Sequence, residues 1–148
     1  MTPDTNTENT PTRAGFVAVI GAPNAGKSTL VNRLVGAKVA IVTQKVQTTR
    51  FPVRGICMHD NTQMVLLDTP GIFKTRRKLD RAMVRAALSG AEEADAILHL
   101  IDASGWVAKV TGKSMTGAQK RSVEDDERVI RDLKELGKRA VLGLNKID

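Results

Sequence analysis

The stretch FVAVIGAPNAGKSTLVNRLVG, residues 16–36, constrains this 148-residue chain more than any other. FVAVI is wholly apolar and bounded by Gly15 and Gly21, which predicts a short strand buried on both faces. KSTLVNRLVG sets Leu30, Val31, Leu34 and Val35 at helical spacing and closes on Gly36 as a C-terminal cap, so a helix is expected next. Between them GAPNAGKST fits G-x-x-x-x-G-K-[ST] in the strand–loop–helix context that the pattern requires. Gly21 and Gly26 let successive backbone N–H groups converge on a polyphosphate at the helix N-terminus, where unpaired donors and the helix dipole favour anions. Ala22, Pro23, Asn24 and Ala25 fill the loop, Lys27 is placed to reach the β and γ phosphates, and Ser28, followed by Thr29, to hold Mg2+ through its hydroxyl. The competing reading is a glycine-rich turn that only caps a helix.

The rest of the chain supplies partners for that strand. FPVRGICMH and QMVLLD predict two strands around a turn at Asp60 and Asn61, with Pro52 placing the first at a sheet edge. Leu79, Met83, Ala86 and Ala87 share a helical face that ends at Gly90, and DAILHLIDA predicts a buried strand with His99 in the core. Residues 104–122 carry no acid and many Gly, Ser, Thr and Lys residues, so a flexible loop is expected there. VEDDERVIRDLKELG predicts a helix with an acidic first turn, Ile130, Leu133 and Leu136 inward and Gly137 as cap, and RAVLGLN predicts a further buried strand. The expected fold class is therefore α/β, a P-loop NTPase with a mainly parallel sheet, one antiparallel edge strand and helices on both faces.

Two more motifs fall at predicted strand C-termini, where open α/β sheets bind ligands. After MVLL come Asp68, Thr69, Pro70, Gly71 and Ile72. Asp68 is placed to hold Mg2+ through a water, and Gly71 lets its N–H approach a γ-phosphate. Asp-Thr-Pro-Gly is also ordinary turn composition. After LGL come Asn145, Lys146, Ile147 and Asp148. A carboxylate accepts hydrogen bonds only; guanine offers it N1–H and the exocyclic amine side by side, whereas adenine presents an acceptor at N1, so Asp148 selects GTP and GDP over ATP. Lys146 is expected to lie along the base plane and Asn145 to tie this reader back to the phosphate loop. In TQKVQTTR, Thr48 or Thr49 could complete Mg2+ coordination only when γ-phosphate is present, which is a switch.

Composition narrows the class. The net charge of +7 favours an anionic partner, while 3% aromatic content argues against a reader built on stacked aromatics. The single Cys57 excludes an internal disulfide and reads as a small buried hydrophobe. No apolar run approaches a membrane span, and residues 1–14 read as a disordered tail of a cytoplasmic protein. The segment KTRRKLDRAMVR, with six cations and one acid, reads either as an RNA-facing surface or as a solvated helix face. Trp106 is open between packing and contact.

The motifs GxPNxGKS, QTTR at residues 47–50, DTPGIF and LDRAM at residues 79–83 together resemble the Era family of ribosome-assembly GTPases, over residues 15–148. The resemblance implies Thr49 as the magnesium ligand of its pair. It also implies K+ held near Asn24, supplying positive charge in the site, because Ile72 stands where related GTPases place a water-orienting glutamine; the alternative for Asn24 is loop geometry alone. Lys27, Thr49, Gly71 and Asn24 are then the residues expected to serve hydrolysis. Further implications are a monomer acting in 16S rRNA processing and 30S ribosomal subunit assembly, peripheral association with the inner membrane face, and a C-terminal KH domain that binds RNA. The segment 105–122 is longer than its Era counterpart and reads as a solvated insertion. Other branches of the superfamily, in tRNA modification, tandem-GTPase ribosome assembly or iron transport, and a non-hydrolysing scaffold stay open. Family members continue past the Asp148 position with a guanine-contacting loop, a sixth strand and a last helix. The chain as it stands is therefore expected to stop inside its nucleotide site, to expose an apolar sheet face and to bind GTP poorly.

Overall fold

The computed structural model describes residues 12–36, 53–68 and 94–148. Among the described residues five strands form one sheet: β1 (Arg13–Ile20), β2 (Val53–His59), β3 (Thr62–Asp68), β4 (Ala96–Asp102) and β5 (Val141–Asn145), in the order β2-β3-β1-β4-β5. β1 pairs in parallel with β3 and β4, β4 in parallel with β5, and only β2 runs antiparallel to β3. Three helices are described: α1 (Lys27–Val35), α2 (Ala103–Val110) and α3 (Gly117–Glu135). The expected mainly parallel sheet with one antiparallel edge strand is thus the observed one, and β2 is that edge.

Alternation along β1 divides the core in two. Ala18 and Ile20 join Ile97, Val129 and Leu133 beneath α3, while Val19 joins Val31, Cys57 and Leu66 beneath α1. Successive residues of one strand therefore serve opposite faces, and the two helices cover both sides of the sheet. Burial pushes the Cys57 thiol above its ordinary value, as suits a small apolar side chain.

Three expectations need correction. β1 begins at Arg13, inside the segment read as tail, because Arg13 pairs with Thr62 and its N–H donates to Asn61 O at 2.8 Å. Residues 104–122 are mostly helical, with only 111–116 in a connection. Asp102 caps α2, whose small residues Ala103, Gly105 and Ala108 are buried, and α3 starts at Gly117, well before the acidic run that begins at Glu124. Its N-cap is Thr116, which forms a capping box with Gln119: Gln119 N donates to Thr116 Oγ1 at 3.1 Å and Thr116 N donates to Gln119 Oε1 at 2.9 Å. Glu124, Asp125 and Asp126 therefore lie beyond the first turn, which holds no acid. Finally, β5 is apolar but not buried: Val141 is 65% exposed and Leu144 58%, because β5 is the other edge of the described sheet.

Of the positions expected inward on α3, Leu133 is buried and Leu136 packs against the core, while Val129 is buried in place of Ile130, which is half-buried. α1 ends at Gly36. α3 ends with Gly137 in the left-handed region (φ 63), where Lys138 N donates to Leu133 O at 2.9 Å. His99 is 1% exposed and sits against Asp126, itself fully buried, with His99 Nε2 3.2 Å from Asp126 Oδ1. Trp106 settles into packing: its Nε1–H donates to Asp126 Oδ2 at 3.1 Å, and Lys109 Nζ lies 5.4 Å from the ring centroid. Pro52, Thr48, Thr49, Thr69 to Ile72, the basic segment 74–85 and the helix expected at 79–90 lie outside the described residues. No helix among the described residues is long and apolar enough to cross a membrane.

Candidate functional site

The site forms where β1, β4 and β5 all end. From Ile20 the backbone passes so close to β4 that a Cβ on Gly21 would lie 2.3 Å from Leu100 O. Ala22 and Ala25, 1% and 0% exposed, anchor the loop from below, while Pro23 and Asn24 are exposed at its tip. Asn24 takes a left-handed conformation (φ 66), and so does Gly26 (φ 99), the N-cap of α1. The N-cap of α1 is glycine, which has no side chain to close the helix N-terminus, an end of the kind that accepts anions. Lys27 Nζ folds over the loop and donates to Gly21 O at 2.6 Å and Ala22 O at 2.9 Å.

β5 delivers the second motif to the same place. Asn145 Nδ2 donates to Ala25 O at 2.9 Å, and a Cβ on Gly26 would come within 2.2 Å of that same nitrogen. The close approach explains why the loop needs glycine there twice over, once for its φ and once for space. Lys146, itself at φ 56, donates from Nζ to Asn24 O at 2.8 Å and to Asp102 Oδ2 at 2.8 Å. Two segments some 120 residues apart are thus hydrogen-bonded into one wall. The concavity they line, about 440 Å³, is edged by Asn24, Lys27, Ser28, Thr29, Asn145 and Lys146. Ile147, 77% exposed, and the exposed Asp148 follow directly. A second cleft of about 370 Å³, apolar and lined by Leu30, Leu34, Leu98 and Leu100, lies between α1 and the β4–β5 pair.

Asp68 closes β3 in register with Val19 of β1, which puts its backbone beside the strand end that launches the phosphate loop. Thr49, Thr69, Pro70, Gly71 and Ile72, assigned to the site from sequence, lie outside the described residues.

Two side chains escaped the sequence reading. Asp102 ends β4 and uses both carboxylate oxygens: Oδ1 accepts from Ser104 N at 3.0 Å and Ser104 Oγ at 2.6 Å, and Oδ2 accepts from Lys146. Burial pushes its carboxyl upward, but the hydrogen bonds from Lys146 and Ser104 outweigh that and hold it below its ordinary value. The Asp-Ala-Ser that begins on the strand's last residue is an N-cap signature and could have exposed it. Arg54 of β2 donates from its guanidinium to Ser28 Oγ. Nothing in the local pattern of VRGICMH marks that contact, which depends on the β2–β3 pairing.

The family described as 50S ribosome-binding GTPase matches residues 16–146. GTPase Era of Caulobacter vibrioides is 61% identical over 137 residues, 93% of this chain and 43% of that protein. Among solved structures, Era in complex with MgGDPNP and nucleotides 1506–1542 of 16S ribosomal RNA is similar with a TM-score of 0.57 and 39% identity, over 93% of this chain and 42% of that one. Era of Aquifex aeolicus, in a variant bound to GDP and AlF4−, gives 0.56 and 38%, over 92% and 42%. The chain spans less than half the length of each of these relatives.

Proposed function

The chain belongs to the 50S ribosome-binding GTPase family, and from that premise we propose that it is an Era-type switch that binds GTP and GDP and hydrolyses GTP. One observation carries the reading: the amide of Asn145 and the ammonium of Lys146 both bond to carbonyls of the phosphate loop, so the base-reading motif and the phosphate-binding motif are one rigid unit. In it the N–H groups of the loop and of the first turn of α1 cradle the phosphates, Lys27 leaves the carbonyls of Gly21 and Ala22 to engage the β and γ oxygens, and Asp148 accepts from guanine N1–H and the exocyclic amine.

The hydroxyl of Ser28, exposed beside that concavity, is a hard oxygen donor of the kind Mg2+ takes. Ser28, Thr49 and Asp68 are the residues proposed to hold the ion, whose charge offsets that of the phosphates. K+ near Asn24 is proposed as the second cation, supplying positive charge at the transferring phosphoryl group. The loop's own contribution is to hold the phosphates and bring the Gly71 N–H to the γ oxygens. The proposed partner is 16S rRNA in the 30S subunit, supported by the likeness to Era bound to a segment of that RNA. A C-terminal KH domain, a monomeric state, cytoplasmic location and peripheral contact with the inner membrane face rest on the resemblance alone.

The decisive experiment is nucleotide competition on the full-length polypeptide. Guanine nucleotides are expected to displace a fluorescent GDP and adenine nucleotides to fail at about 100-fold higher concentration. Asp148→Asn exchanges one acceptor for a donor and is expected to move preference toward xanthine nucleotides, whose C2 carbonyl accepts. Equal competition by ATP would refute the reading. Stimulation of turnover by K+ over Na+ that disappears in Asn24→Ser tests the second cation.

A further inference from the structure

We propose that Asp102 is the positioning residue of the nucleotide reader, a carboxylate that clamps Lys146 against the phosphate loop while capping α2. The assignment rests on the guanine-nucleotide reading above. Asp102 is well shielded, its side chain 16% exposed, and each of its oxygens has a separate task. Oδ1 takes the N–H and hydroxyl of Ser104, which starts α2, and Oδ2 takes the ammonium of Lys146. That ammonium simultaneously reaches Asn24 O, so Asp102, Lys146 and the loop tip form one line of charge-assisted contacts.

Lys146 needs such a partner. Its backbone has a positive φ of 56 and its side chain is 44% exposed, so neither chain geometry nor packing would hold a flexible four-carbon stem over the loop. Asp102 fixes the ammonium end, and with it the stem on which a base plane would rest. The carboxylate is itself braced: Ser104 Oγ accepts from Gln119 Nε2 at 3.4 Å, and Gln119 belongs to the capping box of α3. The α2–α3 segment that reads from sequence as a solvated insertion therefore supports the reader from behind.

The division of labour between the two oxygens gives a clean test. Asparagine caps helices as well as aspartate, but it has a single acceptor oxygen. In Asp102→Asn the oxygen that stays on Ser104 leaves an NH2 facing the ammonium of Lys146. Stopped-flow release of fluorescent GDP from the full-length protein is expected to accelerate about three- to tenfold, a range set by the partial exposure of the pair. Thermal unfolding should stay cooperative and close to that of the unmodified protein. In a Lys146→Met background the same substitution should add almost nothing. An unchanged release rate in Asp102→Asn would overturn the assignment. So would an equal acceleration in the Lys146→Met background, or loss of the cooperative melt, which would make Asp102 a residue of the fold alone. If the unmodified protein bound no guanine nucleotide, the proposed function would fall, and this assignment with it.

Discussion

At the scale of single residues, the site depends on positions where a side chain is forbidden and on one where two oxygens are required. Gly26 combines a φ of 99 with a Cβ position 2.2 Å from Asn145 Nδ2. Gly26→Ala therefore strains the loop and breaks its link to Asn145, and guanine-nucleotide affinity measured by calorimetry should fall at least about tenfold. The glycine was legible from the motif; the reason it tolerates no methyl was not, since Asn145 lies 119 positions away in the sequence. Asp102 also carries a pH signature. Its carboxyl sits below the ordinary 3.8, so the stability it contributes is full above that value and is lost as pH falls through the lower folded value. The advantage is small, because Lys146 is partly solvated. Melting curves of the unmodified protein and of Asp102→Asn should differ by a constant small amount from neutral pH down to that range and converge below it.

At the scale of elements, α2 and α3 show how composition misleads. A stretch rich in Gly, Ser, Thr and Lys reads as loop on propensity, yet most of it is helical because two caps and a set of small residues let two helices pack closely. Gly105 makes the point: a Cβ there would meet Val123 Cγ2 at 3.1 Å. The Thr-Gly-Ala-Gln of the capping box was visible in the sequence and outweighs the basic residues that follow it. Thr116→Ala is expected to cost about 0.5–2 kcal/mol in urea unfolding. Deeper in the same pair of helices, the fully buried Asp126 takes the indole N–H of Trp106 and faces His99. Asp126→Ala removes the acceptor of the Trp106 indole N–H and the polar partner of the buried His99, and is expected to lose about 3 kcal/mol, where the surface substitution Glu124→Ala should lose little.

At the scale of the whole molecule, the described sheet is covered on both faces at its centre and bare along β5. Val141, Leu142 and Leu144 are 65%, 51% and 58% exposed, and Ile147 is 77% exposed. That is the apolar sheet surface expected from the sequence, and an uncovered edge of this composition invites pairing with another chain. Residues 1–148 expressed alone are expected to self-associate by light scattering, and Leu142→Lys to reduce the effect.

The sequence by itself determined the strand–loop–helix at residues 16–36 and the β2–β3 hairpin, because each depends on contacts between near neighbours and on backbone rules local to a few residues. It also marked the phosphate loop and the reader motif as separate pieces of chemistry. It expected Asn145 to tie the two together, but only the tertiary structure decided which atoms make the link and that Lys146, Asp102 and Arg54 join it. The bonds from Asn145 to Ala25, from Lys146 to Asn24 and Asp102, and from Arg54 to Ser28 join residues far apart in the chain, and the parallel order of β1, β4 and β5 is what brings their ends together. A pattern of residue types fixes which groups are offered; which of them meet is set by strand order, a property of the folded sheet rather than of any segment within it.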